Sequence, residues 1–78
     1  RGTRSLTGRA GSLCSLLPLG GPARGVVTTG LRFPLVGEDL RPGSTRGVSN
    51  ELTAATATVT VAEGVLLAVQ PHALEDLP

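Results

Sequence analysis

The sequence contains no lysine, isoleucine, methionine, tryptophan or tyrosine, and only one cysteine (Cys14), one phenylalanine (Phe33) and one histidine (His72). A lone cysteine closes no internal disulfide, and one cysteine with one histidine falls short of a zinc ligand set. With a single aromatic residue there are no stacking platforms for single-stranded nucleic acid, and a net charge of +1 gives no field to draw in a polyanion. Long apolar runs are missing as well. The stretches around residues 13–19 and 65–69 fall well below the ~20 residues of a spanning helix. Neither nucleic acid nor a membrane is an expected partner.

What is present is glycine and proline, 11 and 6 in 78 residues, which interrupt every stretch long enough for a substantial helix. The hydrophobic share of 40% suffices for folding, but the core must be built from Leu, Val and Ala. It is thin, since a domain this short buries only about 60% of its unfolded surface. Arg1, Arg4, Arg9, Arg24 and Arg32 all precede the first acid, Glu38. That arrangement resembles a transit peptide, yet seven glycines among the first 30 residues oppose the amphipathic helix such a peptide needs. A chain opening on Arg1 reads instead as a piece of a longer protein.

The strongest strand signal is 55–62, where Thr alternates with Ala and Val so that one face is apolar and the other carries hydroxyls. Glu63-Gly64 reads as a two-residue turn, and 65–69 as a strand apolar enough to be covered on both faces, the two forming a hairpin. Residues 13–17 and 26–29 read as short strands separated by the breakers of 18–22. Residues 5–7 are expected to pair with 13–17, and 31–35 to be an extended edge segment demoted by Pro34. Leu40-Arg41-Pro42-Gly43 is a turn, and 72–78 a frayed tail. Several short strands with turns between them predict a small all-β antiparallel sandwich, jelly-roll-like, filling the chain as one domain.

Chemistry is sparse. The adjacent acids Glu38-Asp39 and Glu75-Asp76 point different ways and make poor acid/base couples. Cys14 reads as a buried, inert strand residue and His72 as a surface one. One loop stands out: Arg41-Pro42-Gly43-Ser44-Thr45-Arg46-Gly47-Val48-Ser49-Asn50-Glu51 crowds hydroxyl and amide groups onto a glycine-rich turn, the kind of segment that orients small polar ligands. Local Ser/Thr and Asx turns account for the same composition.

Four phrases carry a resemblance: Ser15-Leu16-Leu17-Pro18-Leu19, then Gly25-Val26-Val27-Thr28-Thr29-Gly30-Leu31-Arg32-Phe33-Pro34-Leu35, then Pro42 to Glu51, then Gly64-Val65-Leu66-Leu67. In order and spacing, over about residues 5–71, they resemble the C-terminal domain of bacterial thiamine pyrophosphokinase. The resemblance implies a two-domain enzyme that moves the pyrophosphoryl group of ATP to the hydroxyl of thiamine, giving thiamine diphosphate and AMP. It also implies a cytoplasmic homodimer. ATP and Mg2+ would bind an N-terminal α/β domain that this chain does not contain, so the chain alone is expected to be inactive. Ser49 and Asn50 would line the thiamine pocket, Gly47 would let the ligand approach the backbone, and Phe33, where some members carry Trp, would form an aromatic wall; as the chain's only aromatic, it reads equally as a core residue. Arg46 is a further candidate, for a phosphate or for an acid across the dimer. The rival expectation is a stand-alone, non-enzymatic β-module serving protein interaction or regulation.

Overall fold

The computed structural model describes residues 2–70, and all of the regular structure there is β. Six strands run in chain order: β1 (Gly2–Thr7), β2 (Leu13–Thr29), β3 (Val36–Leu40), β4 (Asn50–Glu51), β5 (Thr56–Val61) and β6 (Glu63–Val69). Every pairing is antiparallel. The Pro71–Pro78 tail and His72 lie outside the described residues.

β2 is the organising strand, and it is bent. Seventeen residues at ~3.3 Å each would span roughly 56 Å if straight, whereas the longest dimension of the domain is 38 Å. The bend falls where Gly20, Gly21 and Gly25 take positive φ and where the register with both neighbours slips. Residues 18–22 therefore bend the strand rather than end it, and the two short strands expected from sequence are arms of one. The first arm pairs with β4 and β6, the second with β3 and β5.

β5 forms as its alternation dictates. Ala57 and Val59 enter the core, while Thr56, Thr58 and Thr60 face outward. Across β5, Thr3, Ser5 and Thr7 of β1 lie opposite Thr60, Thr58 and Thr56, with Thr3 and Thr60 hydrogen-bonded at 3.0 Å. The outer face of this sheet is thus a hydroxyl surface.

The expected hairpins do not form, for a steric reason. Both edges of β5 are occupied, by β1 and by β2, so β6 has no edge there to pair with. The chain crosses instead to the first arm of β2. Gly64 permits the crossing: with φ +94°, a Cβ there would sit 2.6 Å from the Pro22 carbonyl and 2.9 Å from the Ala23 Cα. Likewise β1 pairs with β5 and not with β2, because the loop between them is clamped to 52–55 through Gly8 N–H to the Ala55 carbonyl and Gly11 N–H to the Leu52 carbonyl. Residues 31–35 are not an edge strand either; only Leu31 bridges, to Leu52.

Ten residues form the core: Cys14, Leu16, Ala23, Val26, Leu31, Leu35, Leu40, Leu52, Ala57 and Val59. It is aliphatic, as composition requires, and draws on both arms of β2. β6 departs from expectation. Leu66 packs against the core, but Val65, Leu67 and Val69 are 57%, 44% and 40% exposed, so the strand is not covered on both faces. Their cross-strand partners on β2 are Leu19, Leu17 and Ser15. Over 65–69 the outer face of the β2–β6 ribbon is therefore largely apolar and carries no charge, unlike the hydroxyl face on β1 and β5, while Arg24 and Glu63 pair at its far end.

Candidate functional site

Two loops meet at the β4 end of β2. The first, between β2 and β3, is closed at its base by Thr28: its N–H donates to the Leu35 carbonyl and its hydroxyl accepts the Leu35 N–H, both at 2.9 Å. Leu31 and Leu35 turn into the core, which pushes Phe33 outward. The second loop runs from Arg41 to Asn50 and is built of tight turns, Ser44 N–H to the Arg41 carbonyl and Val48 N–H to the Thr45 carbonyl.

Asn50 joins the two. It is 1% exposed. Oδ1 accepts the N–H of Phe33 at 3.0 Å and of Glu51 at 2.9 Å, and Nδ2 donates to the Phe33 carbonyl at 2.7 Å. The amide thus replaces a missing strand partner for Phe33, satisfying both of its backbone polar groups. Phe33 is 51% exposed and belongs to the surface rather than the core. The Arg32 guanidinium lies 5.4 Å from its ring centroid and 3.6 Å from the Glu51 carboxylate.

Ser49 adopts φ +59°, the left-handed region that a non-glycine residue seldom enters. Its N–H donates to the Ser15 hydroxyl at 3.0 Å, and its own hydroxyl is exposed with no partner among the described residues. Gly47 is buried, and its close approach is to β2: a Cβ would meet the Leu16 carbonyl at 2.8 Å, while the Gly47 carbonyl accepts the Leu16 N–H at 2.9 Å. The structure therefore brings Phe33 and Asn50 together, ties Ser49 to Ser15 of β2, and makes Gly47 a packing residue against Leu16.

Arg46 is committed elsewhere. Its Nε and Nη2 donate to the two Glu38 oxygens at 2.7 and 2.9 Å, a bidentate fork within one chain. The hydrogen bond from Arg46 holds the Glu38 carboxyl below its ordinary range, and the same contact raises the guanidinium. Asp39 points the other way, accepting the Gly25 N–H at 2.9 Å, so the two adjacent acids are separate as expected. Cys14 is buried and its thiol is pushed up by that burial, away from nucleophilic use. No cluster of three or more metal-ligating side chains occurs among the described residues.

A cleft of about 340 Å³ lies apart from these loops, lined from β1, β5 and β6 by Arg4, Leu6, Val59, Val61 and Leu66 among others. None of the four candidate residues lines it. Arg32 and Glu51 are the members of the Phe33 cluster that residue-by-residue reading overlooked. Their signal was adjacency to Phe33 and Asn50, which becomes informative only once the two loops are known to meet.

Comparison with known proteins decides the family. Residues 4–66 match the family described as "Thiamin pyrophosphokinase, vitamin B1 binding domain". The chain belongs to the thiamin pyrophosphokinase family. The crystal structure of thiamine pyrophosphokinase from Bacillus subtilis superposes with a TM-score of 0.81 at 24% identity, over 88% of this chain and 33% of that one. That of thiamin pyrophosphokinase from Geobacillus thermodenitrificans gives 0.77 at 28% identity with the same coverage. No curated protein sequence matches the chain. The chain thus spans about a third of the length of the thiamin pyrophosphokinases it resembles, and what it has in common with them is the all-β antiparallel vitamin B1 binding domain.

Proposed function

We propose that the Phe33 platform is the thiamine contact of this domain, and that the domain serves a thiamine diphosphokinase that transfers pyrophosphate from ATP to thiamine. The observation that carries the reading is the Asn50–Phe33 lock, which holds a half-exposed aromatic residue against the loop that carries Ser49. Thiamine offers a cationic thiazolium, suited to an aromatic face, and an aminopyrimidine that needs hydrogen-bond partners. Ser49 supplies a donor and acceptor. Asn50 acts by positioning Phe33, its Oδ1 already accepting two bonds and its Nδ2 donating one. Gly47 acts by letting the loop settle on β2.

Among the described residues no three acids gather to hold Mg2+. Glu38 is forked by Arg46, and Asp39 is held by Gly25 and Arg24. ATP and Mg2+ belong to the part of the enzyme outside this chain, and phosphoryl transfer is assigned to it, in the cytoplasm. Dimerisation is assigned to the apolar outer face of the β2–β6 ribbon, which adjoins the site through the Ser15–Ser49 contact.

Titration of the 15N-labelled chain with thiamine tests the ligand assignment. Shifts centred on Phe33, Ser49 and Glu51 are expected. Shifts centred on the Leu6–Leu66 cleft, or no saturable shifts at millimolar thiamine, overturn it.

A further inference from the structure

Arg32 is the one charged group over the Phe33 ring among the described residues, and it does not sit there alone. Its backbone is fixed, the N–H donating to the Glu51 carbonyl at 2.8 Å beside the Leu31–Leu52 bridge. Its guanidinium is held at two points, the ring at 5.4 Å and the Glu51 carboxylate at 3.6 Å. The Glu51 side chain is one-third exposed, and Arg32 is its only ion-pair partner among the described residues. An aromatic face beside a carboxylate is the pair of groups that recognises a flat organic cation. Here the pair is already filled by a side chain whose own exposure is 62%, so it can swing into water without breaking any backbone contact.

We infer that the Phe33 ring and the Glu51 carboxylate form a cation site whose resident occupant is Arg32, and that a cationic ligand ring enters by exchanging with that guanidinium. The inference rests on the thiamine reading for the identity of the ligand, and it adds Glu51 as a ligand-binding residue and Arg32 as an internal competitor. Exchange keeps the charge balance: one positive group leaves the carboxylate as another arrives. A neutral ring of the same shape has nothing to gain from Glu51 and leaves Arg32 in place. The arrangement therefore selects for charge, beyond the shape and hydrogen bonds supplied by Ser49. The exposed ion pair that must open is weak, so the exchange needs no rearrangement of the fold.

The test is a nuclear magnetic resonance titration of the 78-residue chain and of Glu51→Gln and Arg32→Gln with three probes. The probes are thiamine, its neutral analogue with thiophene in place of thiazolium, and tetramethylammonium. Glu51→Gln is expected to weaken thiamine about twofold to fivefold, the range of an exposed charge pair, and to change the neutral analogue by less than about twofold. Arg32→Gln is expected to tighten thiamine and tetramethylammonium severalfold at low salt and to leave the neutral analogue unchanged. If Glu51→Gln weakens the charged and neutral ligands equally, or weakens neither, the inference is overturned while the thiamine assignment stands. If tetramethylammonium shifts Phe33 in a Glu51-dependent way but thiamine shifts nothing, the cation site stands and the thiamine assignment falls.

Discussion

The side-chain amide of Asn50 pairs with both backbone polar groups of Phe33, accepting from its N–H at 3.0 Å and donating to its carbonyl at 2.7 Å. A residue that the family resemblance places against the ligand is thereby a splint for Phe33. The distinction matters because the two roles respond differently to mutation.

Asn50→Ala removes three hydrogen bonds at a 1%-exposed position. It is expected to destabilise the domain by about 1–3 kcal/mol, the cost of leaving buried partners unmet, and to weaken thiamine binding through a loosened Phe33. Ser49→Ala removes a hydroxyl that has no partner among the described residues, so stability should stay within about 0.5 kcal/mol while thiamine binding weakens. Urea denaturation and thiamine titration, run on both variants, separate the two effects. Equal loss of stability in both would contradict the splint.

Gly64 and Gly20 share positive φ but not surroundings. A Cβ at Gly20 meets nothing within 4 Å, whereas at Gly64 it meets the Pro22 carbonyl at 2.6 Å. Gly20→Ala should therefore cost only the backbone strain of a left-handed residue, about 1–2 kcal/mol. Gly64→Ala adds a clash with β2 and is expected to detach β6, read as loss of amide exchange protection at 65–69. Protection retained in Gly64→Ala would mean that the crossing does not depend on the glycine.

The Glu38–Arg46 fork makes a statement about pH. Its hydrogen bond to Arg46 lowers the Glu38 pKa from the ordinary 4.5, so the folded state binds that proton less readily than the unfolded chain. The resulting stability is present above the unfolded pKa and is lost as pH falls through the lowered folded value. Glu38→Gln should therefore flatten the acid limb of the stability profile below about pH 4.5 and leave its neutral region nearly unchanged. The contribution is small because both groups face solvent. An identical acid limb in the variant would show that the fork is not formed in solution.

Strand identity was more legible than strand partnership. The Thr and Val alternation of 56–61 defines β5 unaided, because a period of two admits no other regular structure. The neighbours of β5 could not be read, since a turn glycine looks the same whether it closes a hairpin or admits a crossing, as at Gly64. Val36–Leu40 escaped notice because Gly37, Glu38 and Asp39 lack strand propensity, and their pairing with β2 is imposed from outside. Within the site, the phrases around Phe33 and Asn50 marked the residues, yet the contact between loops 17 positions apart needed the fold.

Leu67 supplies the test of dimerisation. It stands at the middle of the apolar ribbon face, opposite Leu17, with Val65 and Val69 on either side and no charged residue from 64 to 70. A patch without charge can pack on a copy of itself without opposing like charges, and a two-fold axis through its centre sets residue 67 near its mate. Sedimentation should find the chain dimeric. Leu67→Lys and Leu67→Glu, at a 44%-exposed position, should each leave the fold intact and raise the dimer dissociation constant about tenfold or more, because each sets like charges against each other. Mixing the two variants in equal amounts should restore the dimer, since the same axis now pairs lysine with glutamate. Variants that stay dimeric when unmixed, or a mixture that stays monomeric, would move the interface off this face and leave the exposed β6 strand to the rest of the polypeptide.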